Sequence, residues 1–229
     1  MAKRAGPQLI PRPEGWREGG PSPWSHLDAA SRHVDLEQLE KALAARGPGR
    51  TRVDPWNRVQ SNHLSAVLVP LYEEGGEVYV VMTRRSPNMR KHRWEVSFPG
   101  GRRDDDDESL WHTALRETHE EIGLDQSMPR FIGELDRFVT VSSVSLVSPL
   151  VGVLPGRPTG LVASPDEVEA ILLVRASELL LDDAFREELW PIDGLYRPIT
   201  FFELDGDTVW GATAAMLRQL LAIATQTGV

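Results

Sequence analysis

The chain has 229 residues, 41% of them apolar and 26% charged, enough to bury a core in one domain with extensions or two small ones. A formal net charge of −9 argues against nonspecific binding to nucleic acid, because attraction to phosphate needs a basic face. The absence of cysteine excludes disulfides, a thiolate nucleophile and cysteine-ligated zinc, and no apolar run approaches the ~18 residues of a membrane span.

Residues 1–34 are rich in Pro, Gly and charge, with Trp16 and Trp24 scattered among them. They read as an irregular N-terminal arm, draped over the domain or left as a mobile tail, with residues 35–229 as the domain proper. Basic residues near the start lack an apolar core of signal-peptide length, so a cytoplasmic location is expected. Asp35 can cap a helix over 36–46, with Gln38 at the capping-box position, Leu36, Leu39 and Leu43 on one face, and Gly47-Pro48 as the stop. Leu64 to Tyr72 reads as a buried central strand and Glu77 to Thr83 as a second, joined by a Gly75-Gly76 hairpin. A helix is predicted from Glu108 to Ile122, closed by Gly123. Further strands are predicted over Phe131–Phe138, Ser148–Val153, Glu167–Val174 and Ile199–Leu204, the last followed by an Asp205-Gly206 turn. Ala212–Ala224 is apolar on a helical period. Strands and helices in this mixed order suggest an α/β sandwich and not a doubly wound sheet.

The chemistry concentrates in residues 98–124, FPGGRRDDDDESLWHTALRETHEEIGL. On a helix, Glu117 and Glu121 are four apart and Glu117 and Glu120 three apart, so the three carboxylates share or adjoin one face. Leu115 and Ile122 point elsewhere, toward a core. Like charges this close repel and raise one another's pKa, so a counter-ion is called for. Magnesium, a hard cation that carboxylates share with substrate phosphates, fits that need, and it would draw in an anionic substrate despite the net charge. An E-x-x-E-E pattern alone is more often a solvated acidic face. Two features favour a site: the Pro99-Gly100-Gly101 turn, where backbone can approach closely, and Arg116 beside the carboxylates, able to orient one of them.

This stretch resembles the Nudix box, G-x5-E-x7-R-E-U-x-E-E-x-G-U, where U is aliphatic. Glu108 is followed by seven residues and then by Arg116, Glu117, Thr118, His119, Glu120, Glu121, Ile122, Gly123 and Leu124. Six residues separate Gly101 from Glu108, one more than the pattern has, and Thr118 replaces an aliphatic residue. The resemblance implies a Nudix-type α/β/α sandwich with a mixed sheet, of the α/β (α+β) class, and a metal-dependent diphosphatase. It implies Glu117, Glu120 and Glu121 as ligands of Mg2+ or Mn2+, Arg116 as the residue that positions a carboxylate, and Glu108 in a supporting role. A metal-bound or base-activated water would attack one phosphorus. The base would be a box glutamate or a later one, with Glu167 or Glu169 of SPDEVE as candidates; both equally fit a solvated strand start.

Upstream, TRRSPNMRKHRWEVSFPGG (83–101) resembles the added motif of the coenzyme A pyrophosphatase-like branch, roughly L-L-T-x-R-S-x3-R-x3-G-x3-F-P-G-G. Thr83, Arg85, Ser86, Arg90, Phe98, Pro99, Gly100 and Gly101 fall in register, while Trp94 stands where that branch has glycine. Arg84, Arg85, Arg90, Lys91, Arg93, Arg102 and Arg103 place seven cations near the acidic helix. Arginine pairs bidentately with phosphate, and about half of these side chains are expected to serve the loop or to balance Asp104 to Asp107. Arg85, Arg90, Gly100 and Gly101 are the candidates for substrate contact. Coenzyme A or its thioesters would be split to 3′,5′-ADP and (acyl-)4′-phosphopantetheine. The alternatives are another nucleotide diphosphate (ADP-ribose, NADH, a dinucleoside polyphosphate) or a non-catalytic nucleotide-binding regulator on the same fold. The expected partner is a small-molecule nucleotide diphosphate, with no nucleic acid and no membrane; pairing into a homodimer stays open. The six histidines show no zinc spacing, and Trp111 and Trp210 read as packing residues.

Overall fold

A computed structural model describes residues 6–51, 63–89, 92–139 and 145–227. In the arm, a two-residue strand β1 (Arg17–Glu18) precedes a single 3-10 turn at Ala29–Ser31. Helix α1 spans Leu36–Arg46; the Asp35 carboxylate accepts from the Gln38 amide at 2.8 Å, and Leu39 and Leu43 are buried. The expected hairpin follows as β2 (His63–Glu74) and β3 (Glu77–Arg85). Its turn residues Gly75 and Gly76 have φ of 62° and 79°, which a two-residue loop of this twist requires of both. Two short strands, β4 (Val96–Ser97) and β5 (Gly100–Arg102), flank the glycine turn.

Helix α2 covers Leu110–Ile122, two residues shorter than expected at its start. Ser109 caps it by accepting from the His112 amide at 3.1 Å, and Gly123 ends it in the left-handed conformation. The predicted strand over 131–138 divides into β6 (Arg130–Glu134) and β7 (Phe138–Val139). Asp136 causes the break. Its amide donates to Gln219 Oε1 at 2.9 Å, and its carboxylate accepts from Gln219 Nε2 at 2.7 Å and from Arg46 at 2.5 Å, so the chain leaves the ladder to satisfy a buried acid. Next come β8 (Ser145–Val153), β9 (Val168–Arg175), the short α3 (Ala176–Leu179), β10 (Phe185–Ile192), β11 (Leu195–Glu203), β12 (Thr208–Trp210) and α4 (Gly211–Ala224). Strand β10 escaped the sequence reading, although Asp193-Gly194 marks its hairpin with β11 as plainly as Asp205-Gly206 marks the next turn.

The larger sheet runs β4-β3-β2-β8-β6, with β5 on β2, β7 on β8 and β9 on β3; β2 and β8 are parallel and the other pairs antiparallel. The fold is thus the mixed α+β architecture expected. Period-two alternation gives this sheet two apolar faces. Ala66, Leu68, Tyr72 and Val81 face Ala114 and Ile122 of α2. Val69, Leu71, Val80 and Met82 face the opposite core, shared with α1, α4 and the four-stranded sheet β1-β10-β11-β12. Among the described residues no helix is long and apolar enough to cross a membrane.

The arm enters that second core. Trp24 is fully buried, its ring centroid 5.5 Å from Phe185 and 6.3 Å from Phe202, and its indole N–H donates to the Leu180 carbonyl at 3.1 Å. Removing a buried aromatic costs about 3–5 kcal/mol. Trp24→Ala is expected to lower the unfolding free energy in urea by that amount. A loss under about 1 kcal/mol would mean that the arm only rests on the surface.

Candidate active site

The glycine turn brings backbone close against the acidic face of α2. At Gly100, φ is 150°, and an added Cβ would lie 2.3 Å from the Ala66 carbonyl oxygen. At Gly101 an added Cβ would lie 2.3 Å from a Glu117 carboxylate oxygen. Only glycine lets β5 lie between β2 and the helix at this distance. A backbone hydrogen bond from Gly100 reaches the Glu121 carboxylate.

Glu121 is 4% exposed, and its Oε2 is buried without a hydrogen-bond partner. Burial pushes this carboxyl up to about 8; Arg85 opposes the shift, and the negative charges of Glu167 and Glu117 add to it. Burial likewise raises Glu117, against the pull of the Arg116 guanidinium 2.9 Å away. Glu120 lies more exposed on the Arg116 side, 3.3 Å from it. A buried carboxylate oxygen with nothing to bind is a costly arrangement. A hard divalent cation answers it, because carboxylate oxygens are the donors such ions take. Among the described residues no three His, Asp or Glu side chains converge as a finished cation cage. Glu117 acts through its charge on Glu121, while Glu120 is the most exposed of the three.

Arg116 is held mainly by Asp107, which the sequence reading counted only among the acids that loop cations balance. Its Nε and Nη2 donate to the two carboxylate oxygens of Asp107, each at 3.0 Å, and Nη2 also reaches the Arg102 carbonyl. Asp107 is buried and accepts as well from the Thr113 hydroxyl at 2.8 Å and the Asp104 amide at 2.9 Å. Glu108, expected in this supporting role, stands exposed. The loop after Gly101 is one residue longer than the box pattern, and the chain absorbs it by presenting Asp107, five intervening residues from Gly101, to the arginine. That spacing was the available signal. Thr118 is also accounted for: it is buried, and its hydroxyl donates to the Ala114 carbonyl at 2.6 Å, so its polar atom is satisfied.

Arg85 ends β3 with its charge beside Glu121, and its Nε is buried without a hydrogen-bond partner. The Ser86 amide donates to the Glu167 carbonyl at 2.8 Å and the Ser164 amide to the Glu121 carbonyl at 2.8 Å, which brings the loop before β9 against the end of α2. Glu167 is exposed, and its charge is felt by both Glu117 and Glu121; Glu169 lies exposed on β9. Other cations of the stretch serve the fold. Arg84 pairs with Asp207 at 2.9 Å, Arg93 donates to the Met89 carbonyl and Arg103 to the Asp107 carbonyl. Arg90 and Lys91 lie outside the described residues.

Asp107 lends itself to a test. Arg116 holds its carboxyl well below the ordinary 3.8, against the effect of burial. A depressed folded pKa contributes stability that is present above about 4 and lost as pH falls below it. Asp107→Asn is therefore expected to cost about 2–3 kcal/mol at pH 7, or roughly 5–10 °C in melting temperature. The gap to the parent should narrow as pH is lowered from about 4 toward 2. Equal melting temperatures at pH 7 would show that the Arg116 pair contributes nothing.

The chain is similar to known proteins. The NUDIX domain family matches residues 62–193. Nudix hydrolase 22, chloroplastic, of Arabidopsis thaliana is 34% identical over 171 residues, covering 71% of this chain and 55% of that protein, so the chain spans about half of its length. Nudix hydrolase NudL of Yersinia pestis (strain Pestoides F) is 31% identical over 160 residues, covering 70% of this chain and 79% of NudL. Among solved structures, a MutT/nudix family protein from Enterococcus faecalis aligns with a TM-score of 0.48 at 17% identity, over 71% of this chain and 62% of that one. With more than half of the chain matched by the family and two relatives above 30% identity, the chain belongs to the Nudix hydrolase family.

Proposed function

We propose that this protein hydrolyses the diphosphate bond of coenzyme A or its thioesters, giving 3′,5′-ADP and (acyl-)4′-phosphopantetheine. The observation that carries the reading is the opposition of Arg85, with a buried and unpartnered Nε, to Glu121, with a buried and unpartnered Oε2. A cation site and an anion site side by side suit a ligand that is itself anionic and brings a metal with it. Arg85 belongs to the stretch that resembles the coenzyme A pyrophosphatase-like branch, which favours coenzyme A among nucleotide diphosphates.

In this reading Glu117 and Glu121, joined by Glu120, hold Mg2+ or Mn2+, which when bound neutralises charge on the diphosphate oxygens. The chain's own residues do the rest. Arg85, with Arg90 from the same stretch, binds phosphate oxygens, and the Gly100-Gly101 backbone lies close against β2 and Glu117. Arg116, braced by Asp107, fixes Glu117. A water attacks one phosphorus, and the bond from that phosphorus to the bridging oxygen breaks. Glu167 is favoured over Glu169 to accept the water's proton, because its charge acts on both Glu117 and Glu121. The products leave as two phosphate monoesters.

Glu121→Gln is expected to abolish turnover while circular dichroism and melting stay native; near-parental activity would refute the ligand assignment. Product identification after incubation with coenzyme A and magnesium or manganese should show 3′,5′-ADP. Cleavage of ADP-ribose, NADH or a dinucleoside polyphosphate in its place would reassign the substrate, and binding without cleavage of any of them would make the protein a regulator. Glu167→Gln should lower kcat by about 10²- to 10⁴-fold, the range for loss of a general base. A loss below tenfold would move that role to another residue.

A further inference from the structure

Gln8 joins three separate parts of the chain. It is 8% exposed, and both ends of its amide are engaged. Nε2 donates to the Trp94 carbonyl and to the Asp207 carboxylate, each at 2.8 Å, while Oε1 accepts from the Thr208 amide at 2.8 Å. The other Asp207 oxygen takes Arg84, the neighbour of Arg85 on β3, at 2.9 Å. The approach is close along the whole segment: a Cβ at Gly6 would lie 2.5 Å from the Asp207 Cα. A buried side-chain amide bonded at this many points holds its partners in one arrangement.

Trp94 is the partner that needs holding. Its φ is 64°, in the left-handed region that a bulky residue avoids. Its amide donates to the Arg85 carbonyl at 3.3 Å, and the Arg85 amide donates to the Glu95 carbonyl at 2.9 Å. The strained residue therefore faces Arg85 directly, and Arg85 faces Glu121. Hydrogen bonds join Gln8 to Trp94 and Trp94 to Arg85, and the Arg85 charge acts through space on Glu121 of the acidic helix.

We propose that Gln8 is a positioning residue, which by binding the Trp94 carbonyl holds the left-handed turn that sets Arg85 in place to bind the substrate diphosphate. The N-terminal arm is in this way part of the substrate-binding apparatus. The inference rests on the role given to Arg85 in the proposed function. It also explains how the chain carries tryptophan at a position of positive φ, where glycine has no penalty: the clamp from Gln8 compensates the strain.

The test is a double-mutant cycle on the full chain with Gln8→Met and Trp94→Gly. Gln8→Met is expected to raise KM for coenzyme A about fivefold, with kcat within about twofold of the parent. Backbone amides of Arg85 and Trp94 should exchange faster with deuterium. Adding Trp94→Gly to Gln8→Met should return both KM and exchange toward the parent, because glycine holds the turn unaided; a structural weakening alone would not be repaired this way. If Gln8→Met does not fold, Gln8→Asn is used, which keeps a buried amide but is one methylene too short to span Thr208 and Trp94. Unchanged exchange at Arg85 and Trp94, or a KM rise that Trp94→Gly does not relieve, overturns the proposal. If the parent cleaves no nucleotide diphosphate yet exchange quickens and is rescued as described, the functional reading falls and the clamp stands.

Discussion

A carboxylate brought out of water without a full set of partners is the constraint around which this structure is arranged. Glu121 lies on the buried side of α2 with one oxygen unbonded. Removing a charge from water is expensive, and a neighbouring glutamate makes it more so. The fold tolerates this because the surroundings supply positive potential: the Gly100 backbone, the Arg85 guanidinium and, one turn earlier, Arg116 against Glu117. What they leave unsatisfied is the Glu121 Oε2. In the proposed function an anionic chain handles an anionic substrate on the same account, since Arg85 and a metal held by the glutamates, and not the net charge of −9, would set the local sign.

Holding that arrangement requires rigid supports on each side. From below, the sheet presents Ala66, Leu68 and Val81 to α2, and from the other face the second core presses Val69, Leu71, Val80 and Met82 against α1, α4 and the smaller sheet. From the side, Asp107 grips Arg116 with two parallel bonds, a fork geometry that fixes the plane of the guanidinium as well as its position. The loop before β9 caps the free carbonyls at the end of α2. Each support comes from a different stretch of chain, so the site exists only after the sheet has formed.

The arm extends this pattern. Trp24 fills the second core and Gln8 reaches the turn opposite Arg85. Its composition, rich in Pro, Gly and charge, reads as irregular, and most of it is irregular in the structure. Irregular backbone and tight anchoring are compatible here because a few side chains, spaced along the segment, carry the attachment.

Much was legible in the sequence by itself. Capping residues and glycines set the bounds of α1 and the end of α2, a largely apolar run marked β2 and β-forming residues marked β3, and the spacing of Glu117, Glu120 and Glu121 placed them on or beside one helix face. These are local effects, written in residues within a few turns of one another. Tertiary structure alone decided the rest. It put Asp107 and not Glu108 on Arg116, broke the strand at Asp136 to satisfy a contact with Gln219, turned Arg84 away to Asp207 and Arg85 toward Glu121, and bound Gln8 to Trp94. Each of those choices depends on which buried polar group meets which partner across many residues of chain, and a linear pattern carries no record of that encounter.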